Sequence, residues 1–522
     1  MTTKQTIKER MAGFPLDLLP EIYQNAISVT RELGVRYLWI DALCIIQDDS
    51  SDWECEASNM RFVYGGALLT ISATKSPDLN EGFLGPRAKL QTHHEIKTQD
   101  NHTVFVRNRM KHSIIIPSDG STSGCPLLTR GWVFQERLLS TRTLHFLPDE
   151  LLWECRCRFW CECTGVEADL YFKTGSFQAS QFSMALAQQD KDEIPTLWLV
   201  LMQEYTKRLL TVSTDRLPAL SGIAHLFHEF GVGEYFAGLW GGHFYDYLLW
   251  QADHSIIFNS NELASRSAFA QNTSPSWSWT SSCLPAKWPV RETSRPLDER
   301  FIEQRFKYNP EKTFPMEQLG MGGPFTEATI FRIETTLAGQ DPFGAVTSGT
   351  VYLCARMTSV MIKARTGSIY ELSKGHDQMG GIVKLTPDFD PTTSHLKVGD
   401  LIFLVFMVHK SKSHGWDDWT ALALVSAAQK ACIKDGEDTK VMEVDEKMIE
   451  IKYKSDVPLG SYLKRFHGWK QPSRNYSPYP EEPLKIDCYQ RIGLVEGRSP
   501  RRTHMDAPQW FYGVASQMIA II

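Results

Sequence analysis

Along the first hundred residues the apolar positions change period three times. Leu19, Ile22, Tyr23, Ala26, Ile27 and Leu33 recur at helical spacing, which predicts a helix from about Leu18 to Leu33. Pro20 and Glu21 suit its first turn, Arg31 its last, and Gly34 its stop. The next stretch, Tyr37-Leu38-Trp39-Ile40-Asp41-Ala42-Leu43-Cys44-Ile45-Ile46, is apolar almost throughout and does not alternate. That pattern predicts a strand buried on both faces, as in a parallel sheet covered by helices. Its single acid, Asp41, would be costly to bury alone, so a hydrogen-bonded structural role or a place at a cleft is expected. Ser51-Asp52-Trp53-Glu54 has the form of a capping box, and Trp53, Ala57, Met60 and Tyr64 mark an amphipathic helix that Gly65-Gly66 ends. Leu68-Leu69-Thr70-Ile71-Ser72-Ala73 reads as another short strand. Helix, strand, helix, strand is the order of an α/β domain with a parallel sheet and right-handed crossovers.

Farther along, Thr103-Val104-Phe105-Val106 reads as a strand, 130–140 as a short helix, and 143–147 with 151–155 as a hairpin. Residues 165–230 read as helical, with Trp198, Leu201, Met202, Tyr205 and Leu209 on one face. Aromatic, strand-like pieces follow Gly231. The stretches 348–364, 399–411, 419–428 and 446–454 predict a second, mainly antiparallel sheet, and Pro-rich 468–486 an irregular segment. The resulting plan is an α/β domain over 15–160, a helical and aromatic-rich region over 165–283, a linker or excursion over 284–325, and a mainly β region over 326–522.

Composition narrows the class. A chain of 522 residues is too long for one ordinary core. A net charge of -6 argues against broad nucleic-acid or membrane-surface binding. No apolar run approaches the roughly 20 residues of a membrane span. Eleven cysteines behind a polar start predict a cytoplasmic protein with reduced thiols. Cys155, Cys157, Cys161 and Cys163 stand one, three and one residues apart, which is not a pair of CxxC knuckles. Packing is therefore expected there in place of a metal, and no cofactor is required. A GxSxG elbow, a P-loop and a GxGxxG turn are all missing, which argues against the enzyme classes built on them.

Three blocks together resemble the heterokaryon-incompatibility (HET) domain of filamentous fungi. The first runs from Leu33-Gly34-Val35-Arg36 through Tyr37-Leu38-Trp39-Ile40-Asp41-Ala42-Leu43-Cys44-Ile45-Ile46-Gln47-Asp48 into Asp52-Trp53, with Glu56, Met60 and Tyr64. The second is Arg130-Gly131-Trp132 with Gln135-Glu136-Arg137 and Leu139-Ser140, and the third is Leu152-Trp153-Glu154-Cys155. The resemblance covers roughly 15–155. Asp215–Ala224, Tyr235–Trp240, Pro275–Trp279 and Tyr489–Leu494 resemble the variable tail that often follows such domains. One departure stands out: no Leu-Ser-Tyr-x-Trp-Gly motif, with which the family usually begins, precedes Leu18.

The resemblance implies a part in non-self recognition and programmed cell death, with protein partners and self-association as expectations. HET domains are also distantly similar to TIR domains, some of which cleave NAD with a helical Glu shortly after a Trp. That similarity implies a TIR-like parallel sheet and NAD as the candidate substrate. It points to Glu56, three residues after Trp53, as the catalytic counterpart. Asp41, Trp53, Gln135, Glu136 and Arg137 form the expected binding or structural network. For Gln135, Glu136 and Arg137 the competing role, and the favoured one, is an Arg–Glu pair that locks the helix at 130–140 to the sheet. The competing function is a non-enzymatic interaction module or an inactive family member.

Overall fold

The computed structural model describes residues 1–85, 94–106, 125–162, 182–186, 194–256, 274–288, 325–373, 383–389, 396–427, 487–500 and 511–522, with short gaps inside these spans. The chain opens with α1 (Ile7–Ala12) and α2 (Glu21–Glu32), and Pro20 stands at the N-cap of α2. Gly34 ends this segment at a φ of +68°, a conformation that glycine adopts without strain.

The predicted strand at 37–46 does not form. Residues 35–40 run without regular structure, and Asp41–Cys44 form a single helical turn, α3. An apolar segment becomes a strand only where a neighbour takes up its backbone groups. Here the neighbour is Thr2, which donates its N–H to Ala42 and accepts from Gln47. It reaches only the end of the segment. Asp41 and Tyr37 are consequently exposed, the latter at 81 %.

Helix α4 spans Ser50–Gly66. Its N-cap is Asp49, whose carboxylate accepts from the N–H groups of Ser51 and Asp52 at 3.1 and 3.4 Å. Asp52 reaches back to the N–H of Ile46 at 2.7 Å. The cap thus lies two residues before the Ser51 box that the sequence suggests. Then come β1 (Thr70–Ser72), the hairpin β2 (His94–Lys97) and β3 (Thr103–Val106), and α5 (Gly131–Leu139). Strands β4 (Arg142–Phe146), β5 (Leu151–Cys155) and β6 (Phe159–Cys161) complete a four-stranded sheet in the order β1-β4-β5-β6. Only β1–β4 is parallel, and the other two pairs are antiparallel. The region is α/β, but its sheet is mixed, with one parallel pair in place of the expected parallel sheet. The apolar segment that was to supply a further parallel strand is not in it.

Helices α6 (Ile194–Tyr205) and α7 (Pro218–Glu229) follow, then β7 (Tyr235–Phe236), β8 (Leu239–Trp240), α8 (Phe244–Leu248), β9 (Gln251–Ala252) and β10 (Ala286–Lys287). The C-terminal region is mainly β: β11 (Phe325–Thr326), β12 (Thr329–Leu337), β13 (Val346–Thr366), β14 (Ile369–Ser373), β15 (Val383–Pro387), β16 (Leu401–Ser411), β17 (Trp416–Ser426), β18 (Asp487–Pro500) and β19 (Ser516–Ile521). Strand β13 is long enough to change partners along its length, pairing with β12 and β19 early and with β16 and β14 late. Because β14, β15, β18, β17 and β16 pair in succession, β13 closes them into a six-stranded ring with no free edge. Val360, Tyr370, Leu385, Leu404, Phe406 and Trp419 belong to one packed cluster of that ring. Of the expected strands, 446–454 lies outside the described residues, as do the segment 468–486 and most of the linker 284–325.

A second, larger core draws its buried residues from Phe134 to Ile521. Phe134 and Leu138 of α5, Trp198 of α6, Phe227 of α7, Trp240, Trp277, Trp279, and Val351 and Leu353 of β13 all belong to it. The N-terminal region, the helices and the β region therefore share one continuous interior. No helix of the described residues is long and apolar enough to cross a membrane.

Candidate functional site

Helix α5 presents three consecutive polar residues, and at about 100° per residue each faces a different way. Gln135 is fully buried against α7 and α4. Its carbonyl accepts the N–H of Gly222 at 3.1 Å, and its amide faces the Met60 sulfur at 3.7 Å. Arg137 faces the sheet and makes a two-pronged bond to Glu154 of β5 at 2.6 and 3.0 Å. Glu154 also meets His145 Nε2 at 3.0 Å, His145 Nδ1 meets Thr74 at 3.1 Å, and Thr74 meets Ser72 at 2.9 Å. Every member of this chain is buried. Burial alone would push the Glu154 carboxyl up, but the Arg137 charge and the His145 bond win and hold it well below the usual carboxylate range. Burial lowers the His145 pKa, with Glu154 opposing, so the ring is neutral near pH 7.

Glu136 faces the third way and is half-buried. The Tyr64 hydroxyl near the end of α4 acts on it as a hydrogen-bonding group that favours its charged form. The charges of Asp41 on α3 and Arg130 at the start of α5 also act on it. Burial, and then the like charge of Asp41, push the Glu136 carboxyl up to about 7, with Arg130 and Tyr64 opposing. The same environment raises Tyr64, mainly by burial and then by the Glu136 and Asp41 charges. Tyr23 of α2 is raised by burial and by Asp41. Trp39 meets Tyr64 edge to face, with ring centroids 5.8 Å apart. Asp41, Arg130 and Glu136, with the rings of Tyr23, Trp39 and Tyr64, thus form one group drawn from α2, the 35–40 segment, α3, α4 and α5. Asp41 and Arg130 are exposed and the rest half-buried, so the group is open to solvent.

The residues expected to act together are therefore divided. The Asp41 charge acts on Glu136, whereas Gln135 and Arg137 serve packing on other faces of α5. Trp53 packs edge-on against Trp132 at 6.0 Å, and the Trp132 indole donates to Asp215 at 2.9 Å. Glu56 is half-buried one helical turn beyond Trp53. Among the cysteines of the predicted cluster, Cys161 is buried, Cys155 half-buried and Cys157 exposed. Cys163 lies outside the described residues, and no group able to hold a metal occurs among the described ones.

Sequence reasoning missed Tyr23, Trp39, Tyr64 and Arg130 as site members, because each is an ordinary helix-face, core or cap residue by its spacing. It also missed Glu154 and His145, although a signal existed. Glu154 shares the inward face of β5 with Leu152, and an acid on such a face requires a cation.

Residues 2–136 match the family model described as Heterokaryon incompatibility protein (HET). The chain matches no curated protein and no solved structure.

Proposed function

Because residues 2–136 form a heterokaryon incompatibility domain, we propose that the chain acts in heterokaryon incompatibility as a cell-arresting effector, with the Glu136 cluster as its chemical centre. The observation that carries this is the half-buried Glu136, on which the Asp41 and Arg130 charges and the Tyr64 hydroxyl act and near which Trp39 meets Tyr64 edge to face, its carboxyl pushed up to about 7 by burial and the Asp41 charge. Structural carboxylates are normally stabilised in their charged form, as Glu154 is. One held at the edge of ionisation is a candidate for chemistry.

The reaction that this set suits is hydrolysis of the nicotinamide–ribose bond of NAD. The bond breaks with its electron pair leaving on the nicotinamide nitrogen, so the leaving group is neutral and needs no acid. What needs support is the cationic ribosyl centre, and a carboxylate beside it provides that. Ionised Glu136 fills this role, and a cationic ring brought to the Asp41–Glu136 pair favours its ionisation. Asp41 accepts a proton from the attacking water, which bonds to the ribose carbon and yields ADP-ribose. Arg130 faces the diphosphate, and Trp39 and Tyr64 form an aromatic wall. Glu56 is the competing carboxylate, on the ground of its spacing from Trp53.

The test is NAD consumption by the purified full chain, as wild type, Glu136→Gln and Glu56→Gln. The expected result is a rate that rises with pH through about 7, falls by orders of magnitude in Glu136→Gln and barely changes in Glu56→Gln. The reverse pattern reinstates Glu56. No consumption by a folded wild type leaves a second reading, an interaction module that assembles with protein partners or with its own copies. Exposed Tyr37, Phe62 and Leu68, at 81, 63 and 63 %, favour that reading in such a case.

A further inference from the structure

We infer that the turn joining β12 to β13, residues 338–345, is a latch through which the C-terminal β region holds the Tyr64–Glu136 site in its assembled form. The inference rests on the proposed role of that site and adds its regulation. The turn itself is closed by Ala338 N–H donating to the Ala345 carbonyl at 2.8 Å and by Gly344 N–H donating to the Asp341 carbonyl at 3.0 Å.

Two helices grip it. From α4, the Glu54 carboxylate accepts the N–H groups of Gln340 and Asp341. From α7, Ser221 donates its hydroxyl to Asp341, and His225 Nε2 lies 3.5 Å from the same carboxylate. Phe343 is buried and packs its ring against His225 at 4.4 Å, Tyr235 at 5.3 Å and His228 at 5.4 Å. The same two helices are tied to each other and to α5. Arg61 of α4 pairs with Glu229 of α7 at 2.6 Å, and Gly222 of α7 donates to Gln135 of α5. Tyr64 rides on α4 and Glu136 on α5. The turn thus holds α4 and α7, whose contacts fix the distance between the tyrosine donor and its carboxyl. A displacement of the β region reaches the site through one helix.

Gly339 offers a gentle way to spring the latch. The three atoms nearest to a methyl added there all belong to the Glu54 carboxylate, the end of a flexible side chain, and the glycine is not in the left-handed region. Gly339→Ala should therefore fold normally while expelling Glu54 from the turn. Glu54→Gln weakens the same contact from the other side. Tyr64, Glu54 and Gly339 are positioning residues in this scheme.

The experiment measures amide exchange of α4 and the titration of Glu136 by carbon NMR, in the full chain and both variants. Tyr23, Asp41, Tyr64 and Arg130 are the titratable and charged groups around Glu136, and only Tyr64 is moved by the latch. The expected result is amide exchange in α4 faster by roughly tenfold and a Glu136 midpoint above that of wild type, since its donor is lost. Glu54→Asp placed on Gly339→Ala, which withdraws the carboxylate by one methylene, should restore part of both. Folded Gly339→Ala with unchanged exchange and unchanged titration would overturn the latch. Neither readout needs catalysis, so failure of the NAD reaction leaves this result separate.

Discussion

Glu136 of α5 and Glu154 of β5, which the next residue of the same helix holds, are treated in opposite ways. Glu154 is buried with a two-pronged arginine and a neutral histidine, and its charge is fully answered. Glu136 is only half-buried, yet it faces another acid, a single tyrosine donor and one exposed arginine. Greater burial thus accompanies the lower pKa, because partners outweigh desolvation at Glu154 and fail to do so at Glu136. The contrast separates a carboxylate that ties helix to sheet from one whose charge is left negotiable.

The largest expected effect comes from removing half of the answered pair. Arg137→Met should cost about 3–5 kcal/mol of stability, because it strands a buried carboxylate. Adding Glu154→Leu should recover most of that loss, since a buried pair replaced by apolar groups is often close to neutral. Denaturant titration of the two variants checks both, and equal losses in the single and double variants would break the comparison.

A smaller effect sharpens it from the other side. A carboxyl raised from 4.5 to about 7 in the folded chain favours folding while protonated in both states, and loses that advantage as pH rises through this window. Glu154, with its pKa lowered, contributes above its unfolded value and loses the contribution only in acid. Relative to Glu136→Gln, the wild type should therefore lose stability between about pH 4.5 and 7 and then level off. Parallel melting curves for the two proteins across that window would show that Glu136 is not perturbed. The smallest effect is that of Tyr64→Phe, which removes one hydrogen bond worth about 1 kcal/mol. It should also move the Glu136 midpoint upward, as the donor favours the charged form.

The success and failure of sequence reasoning follow the range of the forces involved. Helix α2 begins and ends within three residues of its expected limits, because its apolar face, Pro20 and Gly34 are local signals. Helix α5 and the β4–β5 hairpin are equally legible. The apolar run at 37–46 misled, since hydrophobicity records a wish for burial and says nothing of which backbone will supply hydrogen bonds. Its acid, expected inside a strand, became an exposed charge that acts on Glu136 instead.

The sequence by itself determined the helices, the hairpin, the mainly β character of the C-terminal region and the family of residues 2–136. Each rests on spacing or on residue identity within a short window. Tertiary structure alone decided that β13 closes a ring, that Gln135, Glu136 and Arg137 serve three different neighbours, and that Tyr64 finds Glu136 across 72 residues. The physical reason is that a carboxyl's charge state depends on what is packed beside it. Those neighbours come from segments whose separation along the chain carries no local signal.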